Sequence, residues 1–330
     1  MHASPGRKQI DPRDSRKLLV VTGATSGIGR RLIERLLAQH ENWTISVFAR
    51  PSPRSRELQR LSPNRLTVFD VDLRSLQSVN HACDVLIGTL GRQNIDALAL
   101  NAGVQSVRQD AASIDGFEVN FAVNFLAHFL IAKRLKDHVR PEGRIVITSS
   151  EVHDPNAFCL LRVRRATWQD PLLLSDPVRS QQNVASTVGR GEARYCASKL
   201  LNLMHVRHLA REAPTISVIA FNPSVVPGTH LARDRNWLQQ MGWQYIMPAL
   251  LPIIPLARSL ERSAGDLLWL LTAPNVRRLS GSYIDGRSTQ PGSEESRDQA
   301  KIARAMEVAN LLISDRLSAK GVDRLFRCAN

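Results

Sequence analysis

The chain is short of several things, and each shortage excludes a reading. Its 330 residues include four cysteines, three tyrosines and seven lysines, and aromatic side chains make up 5%. Cys83, Cys159, Cys196 and Cys328 show neither CxxC spacing nor histidines at metal-ligand intervals, so neither a disulfide framework nor a metal site is expected. No run of 18 or more apolar residues occurs, which argues against a membrane-spanning helix. The N-terminal MHASPGRKQIDPRDSRK lacks the apolar centre of a secretory signal. A soluble, cytoplasmic protein with reduced thiols is expected, with residues 1–16 forming a flexible tail. Acidic residues are also in deficit, 30 against 44 basic, giving a net charge of +14. The bases are scattered and not interleaved with aromatics, so no nucleic-acid partner is expected. The cluster LLRVRRA (160–166) reads as a solvated loop face.

What is present is an alternation of apolar runs with amphipathic stretches, the pattern of βαβ units. LLVVT (18–22), WTISVFA (43–49), LTVF (66–69), IDALAL (95–100) and GRIVITSS (143–150) read as strands, and ISVIAF (216–221) closes the series. Helices are expected near 74–90, 117–138 and 191–213. With 43% hydrophobic residues and no internal linker, the fold class is α/β: a Rossmann-type doubly wound parallel sheet, one domain over 17–330 with inserted active-site loops.

The sharpest motif, TGATSGIG (22–29), lies between the first strand and the first helix. Gly23 permits a tight turn, Gly27 lets the backbone approach a pyrophosphate, and Gly29 lets the helix pack on the strand. The helix N-terminus then favours the phosphates. Thr25, Ser26 and Ile28 complete this expected cofactor cradle. A dinucleotide is therefore implied, and the end of the second strand selects which. FARPSPRSR offers Arg50 and no acid before Glu57, which suits a 2′-phosphate better than a free ribose hydroxyl. The cofactor expected is NADP(H).

ARYCASKLLN (193–202) sets Tyr195 and Lys199 one helical turn apart, on one face. With so few of either residue, such a pair arises by accident only about 0.06 times. The ordered set of TGATSGIG, NAG (101–103), the paired serines 149–150 and YCASK resembles the short-chain dehydrogenase/reductase family over roughly residues 18–290. The resemblance implies that Tyr195 is the proton donor to a substrate carbonyl and that Lys199 holds the nicotinamide ribose and lowers the tyrosine pKa. It also implies that Ser150 orients the carbonyl and that Asn124, in FAVNFLAHF, anchors a water in the proton relay. The chemistry agrees: an ammonium brings a phenol toward working range, and a hydroxyl donor stabilises charge developing on oxygen.

The same resemblance places Asp72 and Leu73 at the adenine, Asn101, Ala102 and Gly103 along the nucleotide, and Pro223, Val226 and Thr229 near the nicotinamide and a phosphate. Ser224 stands where the family has Gly, which puts the local backbone in question.

Ser150 and Tyr195 are separated by 44 residues, an insertion over 151–194. SSEVHDP, GEARYCASKLLNL and NPSVVPGTHLARD look like the branch of protochlorophyllide-reductase-like and retinol-dehydrogenase-like enzymes and aromatic-polyketide ketoreductases. That branch implies a bulky, hydrophobic, often polycyclic carbonyl or alcohol substrate. WLQQMGWQYIMPALLPIIPLA (237–257), within an expected lid region 230–257, fits a cover over such a pocket, ordinary packing or an interfacial element equally well. The leading expectation is an NADP(H)-dependent reductase of such metabolites. C=C reduction and a non-catalytic nucleotide sensor are the alternatives, and monomer, homo-oligomer and peripheral membrane contact all stay open.

Overall fold

The strands are apolar on both faces, and the sheet they build is covered on both. In a computed structural model, residues 16–108, 111–156, 168–224, 226 and 258–318 are described. Eight strands form one sheet in the order β3-β2-β1-β4-β5-β6-β7-β8. They are β1 (Lys17–Thr22), β2 (Trp43–Ala49), β3 (Leu66–Asp70), β4 (Ile95–Leu100), β5 (Val139–Thr148), β6 (Ser217–Asn222), β7 (Tyr283–Asp285) and β8 (Ser288–Gln290). All pairings are parallel except the last, β7 with β8.

The helices are α1 (Gly27–Gln39), α2 (Pro53–Arg60), α3 (Leu76–Leu90), a composite α4, α5 (Thr187–Glu212), α6 (Leu260–Thr272) and α7 (Gln299–Leu317). Alternation along the strands divides the core in two. Leu18 and Val20 join Leu98, Leu100, Ile145 and Ile147 under α3, α4, α5 and α7. Leu19 and Val21 join Ala97, Ala99, Val146 and Ile219 under α1 and α6. Helix α5 is buried along most of its length, as a helix between a sheet and a covering helix must be.

Helix α4 is the irregular one. It runs from Val119–Phe121 through a π-turn, Ala122–Leu126, into Ala127–Leu135. The Ala127 N–H reaches back five residues to the Ala122 carbonyl. Single π-turns of this kind concentrate at functional positions, and this one contains Asn124.

Several boundaries depart from the sequence expectation. Strand β6 is shifted by one residue, and β5 starts at Val139 rather than 143. Its first residues carry Pro141 and a left-handed Glu142 with φ 67°, and the pairing with β4 shifts register between Ile95 and Ala97. That bulge disguises the start of the strand. Helix α5 starts at Thr187, where the Ser186 hydroxyl accepts from the Gly189 N–H. The series also does not close at β6, because β7 and β8 extend it by three residues each, too few for any periodicity to register.

Strand order reverses between β1 and β4, and such a switch point opens a crevice at the carboxyl ends of the strands. The turn after Thr22, the loop after Leu100 and the serines after Thr148 all leave the sheet at that edge.

Candidate active site

The turn after β1 is closed by contact. Gly23 has φ 72°, and a Cβ there would stand 2.7 Å from Ala102 Cα. A Cβ on Gly29 would stand 2.3 Å from the Gly23 carbonyl oxygen. The two glycines therefore fold the turn back on α1 and press it against the Asn101–Gly103 loop. Thr25, Ser26, Gly27 and Ile28 remain half-buried along the crevice. Ser26 has extended backbone, and its side chain caps nothing in α1. The first turn of α1 also holds no acidic residue. Free N–H groups at a helix N-terminus without a competing carboxylate suit the phosphates of a dinucleotide.

Arg50 is exposed directly after β2. Half-buried Asp72, beyond β3, accepts from the Arg74 backbone N–H at 3.0 Å and from its guanidinium, at 2.7 Å from Nη2 and 3.1 Å from Nε. Burial pulls the Asp72 carboxyl up, but the Arg74 hydrogen bonds and charge, with Arg50 adding to them, hold it below its ordinary value. Arg50 thus lies near enough to Asp72 to act on its charge. The crevice end where an adenosine would lie is basic. Leu73 packs against the core beside Asp72.

Deeper in the crevice, Lys199 is 3% exposed and Tyr195 6%. The Lys199 ammonium lies 5.6 Å from the centre of the Tyr195 ring and donates to the Thr148 carbonyl at 3.1 Å. Burial lowers its pKa to about 8. A Cβ on Gly103 would stand 3.5 Å from both Lys199 Nζ and Asn124 Oδ1, so this exposed glycine leaves the approach to the lysine open. Helix α5 is fastened to β5 on either side of the lysine: the Ser149 hydroxyl donates to the Lys199 carbonyl at 2.8 Å, and Asn202 Nδ2 donates to the Thr148 carbonyl at 3.0 Å.

Asn124 is fully buried and spends its amide on two neighbours. Its Oδ1 accepts from the Val104 N–H at 2.8 Å, and its Nδ2 donates to the Val104 carbonyl at 2.9 Å and to Ser198 Oγ at 3.0 Å. The Ser198 hydroxyl in turn donates to the Tyr195 carbonyl at 2.7 Å. The π-turn, the loop after β4 and α5 thereby meet at one side chain.

Ser150 leaves β5 in extended conformation, and its hydroxyl donates to Glu151 Oε2 at 3.3 Å. Burial raises the Glu151 carboxyl above its ordinary pKa, and Asp285 adds to the rise. The Ser150 carbonyl is held by His153, whose Nδ1 lies 2.6 Å away. His153 Nε2 accepts from the Ser293 N–H at 3.2 Å, and its ring meets Tyr283 edge-on at 4.7 Å. With both nitrogens so committed, the ring carries its proton on Nδ1.

The turn after β6 answers the question posed by Ser224. It does take the left-handed conformation, φ 61°, and its side chain compensates by donating to Asp285 Oδ1 at 3.0 Å. Arg258 pairs with the same oxygen at 2.9 Å, and the Ser263 hydroxyl donates to the Pro223 carbonyl at 2.8 Å. Val226 is buried beside this turn. Thr229, the lid region 230–257, most of the tail 1–16 and residues 157–167 of the insertion lie outside the described residues. Among the described residues, no group of His, Cys, Asp and Glu is arranged for a metal, and no helix is long and apolar enough to cross a membrane. Cys83 and Cys196 are buried.

The expected site residues within the described segments gather at one edge of the sheet. Glu151, His153, Ser198 and Asn202, which tie the site to its surroundings, escaped sequence reading. Only SSEVH, the serine within YCASK and the run after it carried a trace of them.

A family model described as short chain dehydrogenase matches residues 17–158. A protein of Streptomyces sp. (strain C5) named "Putative daunorubicin C-13 ketoreductase DnrU" is 27% identical over 91% of this chain and 93% of its own length. Protochlorophyllide reductase A of Arabidopsis thaliana is 25% identical over 89% of this chain and 76% of its own length. Among solved structures, an NADPH-bound carbonyl reductase from chicken fatty liver superposes with a TM-score of 0.57 at 16% identity, covering 82% of this chain and 96% of that one. Fold, motif order and relatives agree with those of the short-chain dehydrogenase/reductase family, and these ketoreductase and protochlorophyllide reductase proteins are among those the chain is similar to.

Proposed function

We propose that the protein is an NADP(H)-dependent oxidoreductase that reduces the carbonyl, or oxidises the corresponding alcohol, of a bulky hydrophobic metabolite of polycyclic or polyketide type, acting in the cytoplasm as part of secondary metabolism. The observation that carries the reading is the buried Lys199 ammonium beside the Tyr195 ring, with the Gly103 backbone close against it. A cation held there stabilises the phenolate and so tunes Tyr195 to give up its proton as the carbonyl oxygen gains charge. Ser150, at the end of β5, would turn its hydroxyl from Glu151 to donate a second hydrogen bond to that oxygen. Asn124 fixes the loop after β4 against α5 and keeps Lys199 and Tyr195 in register.

The nicotinamide supplies the hydride when bound. Gly23, Thr25, Ser26, Gly27, Ile28 and Gly29 would cradle its phosphates, with Asp72, Leu73 and Asn101–Gly103 lining the nucleotide. Pro223, Val226 and Thr229 would flank the nicotinamide end. Arg50 supports NADP(H) over NAD(H), since no carboxylate competes for a 2′-phosphate at the end of β2. The name of the Streptomyces relative supports a ketone of an aromatic polyketide as the substrate class.

A panel of polycyclic ketones, retinal and steroid ketones, read by NADPH oxidation, tests the proposal. Turnover of a polycyclic ketone with NADPH is expected, and binding of NADPH with no turnover of any ketone would overturn it. Reduction confined to a C=C bond would move the chain to the chemistry named for its plant relative.

A further inference from the structure

His128, 1% exposed in α4, has no place in the reaction as proposed, yet both of its ring nitrogens are committed. Nε2 lies 3.0 Å from Thr22 Oγ1, and Nδ1 lies 3.1 Å from the Asn124 carbonyl oxygen. Donor counting fixes the direction of every bond. Thr22 Oγ1 accepts the N–H groups of Asn101 and Ala102, each at 3.0 Å. With both lone pairs occupied, the hydroxyl has only its own proton left to offer, and it gives it to His128 Nε2. Nε2 is therefore an acceptor. The imidazole proton must be on Nδ1, where it is donated to the Asn124 carbonyl.

The surroundings favour the same neutral form. Burial, with the Lys199 ammonium on α5 adding to it, lowers the His128 pKa to about 3. His205 on α5, a neighbour of the ring, is itself pushed down to about 3 by burial, and among the described residues no acid acts on His128. The bond falls inside the π-turn, where the backbone pattern changes from four-residue to five-residue reach.

We propose that His128 is a positioning residue: a neutral imidazole, protonated on Nδ1, that couples the Asn124 carbonyl through the Thr22 hydroxyl to the backbone of Asn101 and Ala102. The segment that lines the nucleotide and the turn that holds Asn124 against α5 are thereby one hydrogen-bonded unit. Seating the nucleotide on residues 101–103 fixes the Asn124 backbone at the same time. The functional half of the proposal rests on the reading of Asn101–Gly103 and Asn124 given above; the tautomer does not.

The test has two arms. In the first, the full chain labelled with ¹⁵N-histidine is examined by NMR with and without NADPH, and the signal is assigned by its loss in His128→Gln. A ring protonated on Nδ1, opposite to the form that predominates in water, and not titrating between about pH 5 and 9, is expected. An Nε2–H ring, or a titration near the ordinary histidine value, would overturn the proposal. In the second arm, NADPH affinity and turnover of a polycyclic ketone with NADPH are measured. His128→Phe is expected to weaken NADPH binding and lower kcat by about tenfold, a loss typical of misplaced groups near the chemistry.

His128→Gln, whose amide can accept from Thr22 and donate to Asn124 together, should recover to within about threefold of wild type. Thr22→Val should match His128→Phe, and the double variant should be no worse than either single one, as expected for one coupled unit. A folded His128→Phe within about twofold of wild type, or additive losses, would overturn the coupling. If His128→Phe does not fold, His128→Gln and Thr22→Val decide by the same criteria. Failure of the wild type to bind NADPH would sink the proposed function, and the NMR arm would still decide the tautomer.

Discussion

Two helical glycines should respond to the same substitution with opposite signs. Gly29 lies in the first turn of α1 and Gly88 near the end of α3. Replacing a helix-interior glycine with alanine ordinarily stabilises by about 0.5–1 kcal/mol, because alanine loses less backbone entropy on folding. Gly88 is exposed and a Cβ there meets nothing within 4 Å, so Gly88→Ala should gain that amount. At Gly29 the new methyl would stand 2.3 Å from the Gly23 oxygen and 2.9 Å from Ala24 Cα. Both are backbone, and neither can swing aside. Relief requires the turn to move by about an ångström, and overpacking of this kind costs about 1–3 kcal/mol, more than propensity returns. Gly29→Ala should therefore lose about 1–2 kcal/mol, and the shifted turn should no longer fit a pyrophosphate. Thermal melts should place Gly88→Ala about 1–2 °C above wild type and Gly29→Ala about 2–4 °C below it, at about 2 °C per kcal/mol for a chain of this size. NADPH titration should show Gly88→Ala unchanged and Gly29→Ala weakened by more than tenfold. Equal stability and equal NADPH affinity in the two variants would refute the steric argument.

Arg50→Ala should close most of an expected preference for NADPH over NADH of at least about tenfold, or about 1.4 kcal/mol; equal affinities in the wild type, measured by titration, would remove the basis for NADP(H). Burial lowers the Lys199 ammonium to about 8 in the folded protein, against an ordinary value of 10.5. Between those values the unfolded chain binds more protons than the folded one, so stability rises with pH through that window. Without nucleotide, wild type should therefore gain on Lys199→Met from pH 8 to 10.5 in denaturant melts, and a constant difference would show that burial does not depress the lysine. Replacing Trp243 and Tyr245 together with Ala should raise the Michaelis constant for a polycyclic ketone by an amount consistent with about 2–4 kcal/mol of lost burial and leave a small ketone unaffected; equal impairment of both would mean that 237–257 serves stability alone.

The sheet from β1 to β6 was legible because its strands are continuous apolar runs, as parallel strands covered on both faces must be. TGATSGIG was legible because a backbone approach as close as that of Gly29 to Gly23 admits no other residue. Tyr195 and Lys199 were legible because a helix converts spacing of four into shared direction. The π-turn was not, since FAVNFLAHF is as good an α-helix as it is a π-turn, and what accompanies the distortion is a set of contacts from Val104 and His128. Strands β7 and β8 are three residues each, and their places depend on partners far along the chain, such as Tyr283 beside Ala220. The bonds that hold Ser150 in place come from Ser293 through His153, 140 residues apart. Ser224 was rightly marked as an exception to the family pattern, but its hydroxyl's bond to Asp285 depends on the position of β7.

The central claim is that Tyr195, tuned by the buried Lys199, hands a proton to a carbonyl while the nucleotide is held elsewhere by the chain. Tyr195→Phe removes one oxygen from a side chain 6% exposed and leaves the glycine turn, Arg50 and Lys199 in place. Turnover of a polycyclic ketone with NADPH should fall by about a hundredfold or more, the range for a lost general acid, while the dissociation constant for NADPH stays within about threefold of wild type. Near wild-type turnover in Tyr195→Phe would contradict the account.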